Sequence, residues 1–406
     1  MEKFALIGKT LKHSYSKKIH KLLGEYCYDL VEVEPTKLNE FVENGGYKGF
    51  NITIPYKKVV MPYLDYIDQS AKKIGAVNTV VERAGKRLGF NTDFDGMIYM
   101  LNRANIKVEG ANVLILGSGG TSNTARAVCE YLSAKSVKVL SRTGEVNYQN
   151  YFELKQTQIV INATPVGMYP NNYECLIDLS HFDKLQGVVD VVYNPKMTML
   201  LYQAKKLGVK YTNGFSMLVA QAKYAAELFL DTKMDDGVIE NILKQLEKET
   251  TNLVLIGMPG CGKTSVGQLL SKRLGLELID IDQEIVKRDG RDIPTIFSQD
   301  GEEYFRKLES QVIKDVGKLN GKIISTGGGA VKDEKNYFPL KQNGKIFWLN
   351  RNVEKLSQDG RPLSQGLDTV KKLYLERKEL YQNFADYIVD NDGDIELAVK
   401  GVIDEL

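Results

Sequence analysis

Residues 254–265 read VLIGMPGCGKTS, a short apolar run that passes directly into a glycine-rich turn. Within it, residues 257–264 match the pattern G-x-x-x-x-G-K-[ST], with a strand-like run before and a helical pattern after. Such glycines leave backbone N–H groups open to phosphate oxygens, the lysine adds a point charge, and the last hydroxyl can coordinate Mg²⁺. The stretch therefore predicts a parallel α/β domain that binds a nucleoside triphosphate, without naming the phosphoryl acceptor. The predicted contacts are Gly257, Gly260, Gly262, Lys263, Thr264 and Ser265.

A second glycine-rich turn, of a different design, stands earlier in the chain. Residues 113–120 read VLILGSGG, so Gly117, Gly119 and Gly120 stand where a backbone approaches a pyrophosphate at a helix N-terminus. Three glycines alone are also compatible with a plain tight turn. The next strand ends in Ser141-Arg142-Thr143, where an acid would bind the ribose of NAD and an arginine the 2′-phosphate of NADP. A solvated surface arginine would look the same, but the pattern favours NADP.

Length and composition indicate a globular protein with more than one domain. The chain has 406 residues, with 54 basic and 52 acidic side chains and a formal net charge of +2. It has no basic tract, so neither nucleic acid nor a membrane surface is predicted as a partner. The cysteines match no disulfide or zinc spacing, no apolar run approaches the ~20 residues of a membrane span, and the N-terminal MEKFALIG shows no signal-peptide pattern. We expect a cytoplasmic protein, and the oligomeric state stays open.

Strand-like and helical runs alternate along the chain, which predicts α/β blocks with parallel sheets. We expect an N-terminal α/β substrate lobe, a Rossmann-type NADP lobe whose last helices pack back onto the first lobe, a polar linker and a P-loop domain. Their predicted bounds are 1–105, 106–245 with the returning helices at 215–245, 246–252 and 253–406.

The first block supplies candidates for chemistry. GFNITIPYKK, residues 49–58, places Lys57 after a predicted strand, and GFNTDFDG, residues 89–96, places Asp93 in a glycine-bounded polar turn. An ammonium can polarise and protonate a carbonyl oxygen while a carboxylate orients it, which suits carbonyl reduction. Taken singly, each residue is more typical of a surface charge than of a catalyst.

Residues 1 to about 245 resemble shikimate dehydrogenase over their whole length. The resemblance rests on motifs in the family's order: HSYSKKIH, NITIPYK, GAVNT, GFNTD, GSGG, SRT, NATPVGM, DVVYNP and GFSMLVAQA. It implies that Lys57 and Asp93 are the catalytic pair and that 3-dehydroshikimate is reduced with NADPH. It also implies carboxylate contacts from Ser14 and Ser16, hydroxyl contacts from Thr53, Asn78, Asp93 and Gln221, and nicotinamide contacts from Tyr193, Gly214 and Met217.

Two positions depart from that family's pattern. Lys17 stands where proline usually follows the second serine, and Ser141 stands where asparagine usually precedes the arginine. The first change bears on the order of the serine loop, and the second bears on the strictness of the cofactor preference.

Residues from about 252 to 406 resemble shikimate kinase. After the phosphate loop come LIDID at 278–282, EEYFRKLE at 302–309, STGGGA at 325–330, DGRPLS at 359–364 and YLERKELY at 374–381. The resemblance implies that Asp280 holds Mg²⁺ through water beside Thr264, and that Asp282 binds the reacting hydroxyl and takes its proton. It further implies that Arg306, oriented by Glu309, and Arg377 contact the substrate carboxylate. The backbone at Gly327, Gly328 and Gly329 would closely approach the substrate ring, and Arg361 would be a lid arginine. Any one of these arginines alone would be typical of a solvated helix face.

The lid segment departs from the kinase pattern. The stretch between residues 350 and 361 is several residues shorter than usual, and an arginine expected near adenine has no clear counterpart there. This bears on the affinity for ATP.

Together the two resemblances imply consecutive steps, since the hydroxyl made by the dehydrogenase is the hydroxyl that the kinase phosphorylates. The implied cofactors are NADPH, ATP and Mg²⁺, and the implied substrates are 3-dehydroshikimate and shikimate. Two alternatives remain. One is an NAD-preferring quinate or shikimate dehydrogenase fused to a kinase, against which the lack of an acid after VKVLS argues. The other is a nucleotide-sensing pseudoenzyme scaffold, which would be expected to have lost residues such as Lys57 or Lys263.

Overall fold

A computed structural model describes residues 2–11, 14–356 and 367–406 of the chain. The chain forms two compact units, Met1–Lys244 and Gln245–Leu406. Within the described ranges, no helix is both long enough and apolar enough to cross a membrane.

The first unit begins with a six-stranded mixed sheet. Strands β1, β2 and β3 run parallel, and Ile7 lies opposite Ile52, so the segments that follow β1 and β3 leave the sheet at the same edge. β1 is a continuous apolar run because nearly all of it is buried. The strands, in the spatial order β2-β1-β3-β5-β6-β4, are β1 (Lys3–Gly8), β2 (Cys27–Glu32), β3 (Gly49–Ile52), β4 (Tyr66–Ile67), β5 (Thr79–Arg83) and β6 (Lys86–Phe90).

The second sheet of this unit is parallel throughout. Its strands, in the order β11-β10-β9-β7-β8, are β7 (Asn112–Leu116), β8 (Ser136–Leu140), β9 (Ile159–Asn162), β10 (Gly187–Asp190) and β11 (Lys210–Thr212). β7 lies between β8 and β9, so the strand order reverses beside it. Doubly wound sheets bind ligands at such a reversal, at the carboxyl ends of the strands.

The second unit contains a five-stranded parallel sheet. Its strands, in the order β13-β14-β12-β15-β16, are β12 (Asn252–Ile256), β13 (Glu277–Asp280), β14 (Lys322–Ser325), β15 (Gly344–Asn350) and β16 (Tyr387–Asp390). β12 is central and buried along its whole length, which explains its unbroken apolar sequence. The predicted α/β class with parallel sheets is confirmed.

Helices connect and cover these sheets. They are α1 (Ser16–Leu23), α2 (Leu38–Asn44), α3 (Tyr56–Val59), α4 (Gln69–Ile74), α5 (Thr92–Arg103), α6 (Gly120–Tyr131), α7 (Met199–Lys206), α8 (Phe215–Leu230), α9 (Gly237–Thr250), α10 (Lys263–Leu274), α11 (Ile281–Asp289), α12 (Ile293–Val316), α13 (Tyr337–Lys341), α14 (Leu367–Phe384) and α15 (Ile395–Asp404). Gly301 has φ 79° and ψ 177°, so α12 consists of two helices that meet at a kink.

Helix α8 links the two sheets of the first unit. A Cβ atom on Gly96 of α5 would lie 2.9 Å from the carbonyl oxygen of Met217, so only glycine lets α5 approach α8 this closely. At the other end of α8, Phe229 stacks on Phe4 of β1 with ring centroids 4.5 Å apart. The helix therefore returns from the parallel sheet to the first sheet.

The structure corrects the expected linker at residues 246–252. Helix α9 continues to Thr250 and β12 begins at Asn252, so a single residue separates them. The reason is an apolar stripe at helical spacing beneath the polar residues of this segment. Its members, Ile239, Ile242, Leu243 and Leu246, are all buried.

Candidate active sites

Lys57 and Asp93 form a close ion pair in the first unit. Lys57 Nζ donates to Asp93 Oδ2 over 2.6 Å, and the two side chains are 19% and 10% exposed. Lys57 lies on the short helix α3, which Tyr56 anchors by donating its buried hydroxyl to the Val33 carbonyl oxygen. The pair therefore joins an ammonium and a carboxylate that are largely shielded from water.

Asp93 lies in the first turn of α5, which corrects the polar turn expected from the sequence. A carboxylate is favourable there because the N-terminus of a helix carries partial positive charge. Asn78 fixes this start, since its Oδ1 accepts from Thr92 N at 2.7 Å and its Nδ2 donates to Thr92 Oγ1 at 3.1 Å. Asn78 is 2% exposed, so the residue just before Asp93 is held by a buried amide.

The sequence reasoning missed the polar network behind Asn78. Tyr28 Oη donates to Asn51 Oδ1 at 2.7 Å, and Asn51 Nδ2 donates to Thr79 Oγ1 at 3.0 Å. The motifs NITIP and GFNTD contain Asn51 and Thr92, but period-two alternation does not show that both side chains turn inward. These buried residues support Asn78 and, through it, the start of α5 that carries Asp93.

The remaining predicted substrate contacts come from three other segments of the first unit. Ser14 Oγ accepts from Ser16 N at 3.2 Å, at the start of α1, and Thr53 directly follows β3. Gln221 lies on α8, where its Nε2 donates to the Leu218 carbonyl oxygen at 2.8 Å, and its Cβ would lie 3.0 Å from a Cβ on Gly96. The serines and Thr53 lie at the same edge of the first sheet, whereas Gln221 is contributed by helix α8. Lys17 lies on the exposed face of α1, where its Nζ is 4.0 Å from Asp29 Oδ1.

The first glycine turn connects β7 to α6. Gly117 has φ 102°, and a Cβ there would lie 2.6 Å from Thr164 Cγ2, so a side chain would be strained and crowded. Gly119 and Gly120 have open space around the corresponding positions, at the N-terminus of α6. This cradle fits a pyrophosphate, because backbone N–H groups and the helix dipole both face it.

The Ser141-Arg142-Thr143 segment follows β8. Arg142 is exposed, and among the described residues it has no hydrogen-bonding or ion-pair partner. Ser141 N donates to the Val146 carbonyl oxygen at 3.1 Å, which closes the turn. The Arg142 guanidinium is thus available to bind an anionic ligand at the edge of the parallel sheet from which the first glycine turn also leaves.

The predicted nicotinamide contacts follow β10 and begin α8. Asp190 holds the start of this loop, since its carboxylate accepts from Val192 N at 3.0 Å and from Thr198 Oγ1 at 2.6 Å, and burial raises its pKa to about 7. A Cβ on Gly214 would lie 2.6 Å from the carbonyl carbon of Val191, so this position excludes side chains.

Tyr193 and Met217 differ in their surroundings. Burial raises the pKa of the Tyr193 hydroxyl, and its ring packs edge-on against Tyr15 with centroids 6.1 Å apart. Met217 is 7% exposed and belongs to the core beneath the parallel sheet. Tyr193 therefore joins the substrate-side serine segment to the parallel sheet, while Met217 acts chiefly as core.

The second glycine turn has the backbone of a phosphate loop. Gly257, Gly260 and Gly262 have φ angles of 146°, 83° and 94°, which side chains disfavour. Lys263 Nζ donates to the carbonyl oxygens of Gly257 at 2.9 Å and Met258 at 3.0 Å. The ammonium is thereby held at the centre of the loop and only 8% exposed.

The two predicted Mg²⁺ ligands come together beside this loop. Thr264 Oγ1 donates to Asp280 Oδ2 at 3.0 Å, and Asp280 Oδ1 caps α11 by accepting from Asp282 N at 3.1 Å. A hydroxyl and a carboxylate are the hard oxygen donors that Mg²⁺ prefers. The residues present therefore fit that ion. Ser265, the next residue on α10, is exposed and also lines the cleft.

A cleft of about 700 Å³ joins the loop to the predicted acceptor residues. Its lining includes Lys263, Thr264, Asp280, Asp282, Arg306, Glu309, Gly327, Gly328, Gly329, Arg351 and Arg377. The tertiary structure thus gathers residues that are more than one hundred positions apart in the chain.

The two arginines of the cleft are held by different partners. Arg306 Nη1 donates to the fully buried Glu309 Oε2 at 2.7 Å, and Arg377 Nη1 donates to the Gly328 carbonyl oxygen at 2.9 Å. Burial lowers the pKa of the Arg306 guanidinium, but the carboxylates of Glu309 and Glu302 together outweigh this and raise the pKa overall. Burial raises the pKa of Glu309 despite that arginine.

The glycine run after β14 is required by close packing. A Cβ on Gly329 would lie 2.6 Å from Arg306 Cζ, and one on Gly327 would lie 2.7 Å from Glu309 Oε1 and 3.1 Å from Asp282 Oδ1. The run therefore lets the carboxylates and a guanidinium converge. Glu309 Oε1 is buried and has no donor among the described residues.

Arg361 and the part of the shortened lid segment from residue 357 onward lie outside the described residues, so the predictions made for them stay predictions. The sequence reasoning also missed Arg351, which lines the cleft, and Tyr381, whose hydroxyl donates to the Gly328 carbonyl oxygen at 2.6 Å. YLERKELY contains Tyr381, but nothing in its spacing marks the tyrosine as a support for the glycine run.

Comparisons with known proteins match both parts of the chain. The model of the shikimate dehydrogenase substrate binding domain matches residues 6–80, and the shikimate kinase model matches residues 259–406. A shikimate dehydrogenase (NADP(+)) of Clostridium perfringens is 38% identical over 271 residues, covering 61% of this chain and 99% of the relative. One from Methanococcus aeolicus is 34% identical over 267 residues, covering 59% of this chain and 95% of the relative.

Solved structures agree with these relatives. Shikimate dehydrogenase 1 from Peptoclostridium difficile matches with a TM-score of 0.57 and 35% identity, covering 61% of this chain and 98% of its own. A chorismate mutase/shikimate 5-dehydrogenase fusion protein from Clostridium acetobutylicum matches with a TM-score of 0.59 and 35% identity, covering 61% and 97%. The chain therefore belongs to the shikimate dehydrogenase family and carries a shikimate kinase domain fused after it, as the sequence motifs predict.

Proposed function

We propose that this chain catalyses two consecutive reactions on one ring. The first reduces the 3-keto group of 3-dehydroshikimate with NADPH and gives shikimate. The second transfers the γ-phosphoryl group of ATP, with Mg²⁺, to that same 3-hydroxyl and gives shikimate 3-phosphate. The observation that carries the proposal is the presence on one polypeptide of the 2.6 Å Lys57–Asp93 pair and of a separate phosphate-loop cleft with two held arginines.

Lys57 and Asp93 account for the proton chemistry of the reduction. NADPH, when bound, supplies the hydride that adds to the carbonyl carbon. The Lys57 ammonium donates a proton to the carbonyl oxygen, so the carbonyl gains a hydride and a proton and becomes an alcohol. Asp93, 2.6 Å away, holds the ammonium in place and accepts a hydrogen bond from a neighbouring hydroxyl of the substrate. Ser14, Ser16, Thr53, Asn78 and Gln221 are the proposed further substrate contacts.

The proposed preference for NADPH depends on Arg142. Its exposed guanidinium follows β8 and has no partner among the described residues. A planar guanidinium matches a phosphate with two parallel hydrogen bonds, whereas a ribose hydroxyl would call for a carboxylate at this position.

The kinase residues divide into a donor side and an acceptor side. Lys263 stabilises the charge of the phosphate chain, and Thr264 with Asp280 would hold the Mg²⁺ that offsets the charge between phosphates. On the acceptor side, Asp282 accepts the proton of the 3-hydroxyl group while the oxygen of that hydroxyl attacks the γ-phosphorus and ADP leaves. Arg306 and Arg377 are the proposed contacts of the substrate carboxylate, because guanidinium forks match its two oxygens.

The test supplies 3-dehydroshikimate, NADPH and MgATP together and identifies the products by mass spectrometry. We expect shikimate 3-phosphate, shikimate alone when ATP is omitted, and no product when NADPH is omitted. Phosphorylation of added shikimate should not need NADPH. Turnover with NADH in preference to NADPH would support the NAD-preferring quinate or shikimate dehydrogenase, and binding of nucleotides without any product would support the nucleotide-sensing scaffold.

A further inference from the structure

One guanidinium in the kinase cleft has no part in the assignments above. Arg351 directly follows β15, which pairs with β12 in parallel, with Trp348 opposite Ile256. β15 therefore ends beside the strand that leads into the phosphate loop. A Cβ on Gly257 would lie 2.6 Å from the Leu349 carbonyl oxygen, so the end of β15 packs tightly on the beginning of that loop.

The Arg351 side chain reaches the other end of the same loop. A Cβ on Gly262 would lie 3.8 Å from Arg351 Nη1 and 3.2 Å from Asn391 Nδ2. Asn391 is 3% exposed and its Nδ2 donates to the Cys261 carbonyl oxygen at 2.5 Å, so the loop is tied to the segment after β16. Arg351 thus lies along the outer side of the last loop glycine, in the cleft that Lys263 also lines.

Arg351 differs from Arg306 and Arg377 in having no protein partner among the described residues. Its Nε is buried and has no acceptor among the described residues, and no ion pair with it is formed there. Arg306 and Arg377, in contrast, are each held by an oxygen of the protein. A buried donor without an acceptor is unfavourable, which is explained if a ligand oxygen supplies the acceptor.

The turn that carries Arg351 is held in place. Asn352 N donates to Asp392 Oδ1 at 2.6 Å, and Lys355 Nζ donates to the Asp392 carbonyl oxygen at 2.9 Å. The backbone that carries Arg351 therefore needs little reordering when a ligand binds, which favours affinity.

We propose that Arg351 binds the non-transferred phosphates of the nucleotide, at the Gly262 end of the loop. It would donate to oxygens of the α- and β-phosphates, which ATP and ADP share. Its neighbours, Gly262 and Asn391, are distinct from the Thr264–Asp280 pair assigned to Mg²⁺ and from Asp282, assigned to the acceptor hydroxyl. Arg351 is then a binding residue for both nucleotides, without a part in the transfer step. The inference rests on the proposed function only in that the loop binds a nucleoside triphosphate.

The experiment measures binding of MgATP and MgADP to the full chain by calorimetry, without shikimate. Arg351→Met keeps an apolar stem but loses the charge, and Arg351→Lys keeps the charge but loses the fork. Arg288→Met is the matched control, because Arg288 is exposed, pairs with Asp315 and does not line the cleft. We expect Arg351→Met to raise the Kd of both nucleotides by the same factor, about tenfold to a hundredfold, the scale of a charged hydrogen bond. Arg351→Lys should give a smaller loss for both, and Arg288→Met none.

Unchanged affinity for both nucleotides in a folded Arg351→Met chain would overturn the proposal. A loss for ATP alone, with a lower kcat at saturating ATP, would also overturn it, since the arginine would then act on the transferred group. A rise in the KM for shikimate alone would place it on the acceptor side instead. If Arg351→Met does not fold, Arg351→Lys decides, and wild-type affinity for both nucleotides in that variant refutes the assignment. Nucleotide binding without phosphorylation of shikimate by the wild type would refute the proposed function and leave this test intact.

Discussion

Replacing Lys57 by methionine should abolish most of the dehydrogenase activity and leave the kinase activity unchanged. Methionine keeps an unbranched stem of similar length, so α3 and its Tyr56 anchor are retained while the ammonium is lost. Asp93, which is 10% exposed, then faces the substrate without its cation. No proton donor remains at the place where the Lys57 ammonium lay.

The magnitude follows from the role of a positioned acid. General acid catalysis contributes roughly 10²–10⁴-fold, so kcat/KM for 3-dehydroshikimate should fall by that factor, or about 2.7–5.4 kcal/mol of transition-state stabilisation. The low exposure of the Lys57 side chain, 19%, favours the upper part of this range because little water reaches the site to replace the donor. The affinity for NADPH should change little, since the glycine turn and Arg142 are untouched.

The assay follows NADPH oxidation with 3-dehydroshikimate and, in the same preparation, phosphorylation of added shikimate. Lys58→Met is the control, because Lys58 is the adjacent lysine on α3 and is exposed. It should retain activity within about twofold of wild type, the effect expected of a surface change. Equal losses in the two variants would refute the reasoning, because the ion pair would then have no special part. A matching loss of kinase activity in Lys57→Met would show that the two sites are not independent.

Three further outcomes are expected. Arg142→Ala should weaken NADPH binding roughly tenfold to a hundredfold and leave NADH nearly unaffected, as measured by cofactor titration, and equal losses for both would assign the arginine a structural role. Arg306→Lys keeps the charge but loses the fork, so the KM for shikimate should rise while that for ATP stays constant, and the reverse result would contradict the carboxylate assignment. Burial lowers the pKa of His20 from 6.5 to about 3, so the unfolded state alone gains a proton as pH falls below 6.5 and stability is lost there. Between pH 6.5 and 5 this loss of stability is about 2 kcal/mol for a single group. Urea unfolding midpoints, followed by residual dehydrogenase activity at the two pH values, should show the loss in the wild type and not in His20→Gln. Equal losses in the two proteins would show that His20 is not the cause.

Local sequence carried much of the fold. Both glycine turns were predictable because a tight strand-to-helix turn that meets phosphate needs positive φ angles and no side chain, as at Gly257 and Gly117. The continuous apolar runs of β7 and β12 likewise predict buried parallel strands, since both faces of such strands are covered. The family motifs add the names of the candidate site residues.

Local pattern failed where long-range packing decides. Residues 246–250 are polar on average, but Leu246 completes a buried stripe, so the expected linker is the end of a helix. The glycines that flank the motif predict a turn at Asp93, yet the buried side-chain amide of Asn78 stabilises the start of a helix there. In both cases a distant or buried partner outweighs local composition.

The sequence by itself determined the two nucleotide turns, the α/β class and the set of charged residues that could carry chemistry, because these depend on backbone freedom and on hydrophobic periodicity within short segments. Only the tertiary structure decided which charges meet. Lys57 and Asp93 are 36 positions apart yet 2.6 Å from each other, and Arg351 reaches the phosphate loop although no motif contains it. The physical reason is that parallel strands bring their carboxyl ends to one edge of a sheet, so side chains from distant segments converge there. Spacing along the chain carries no record of that convergence.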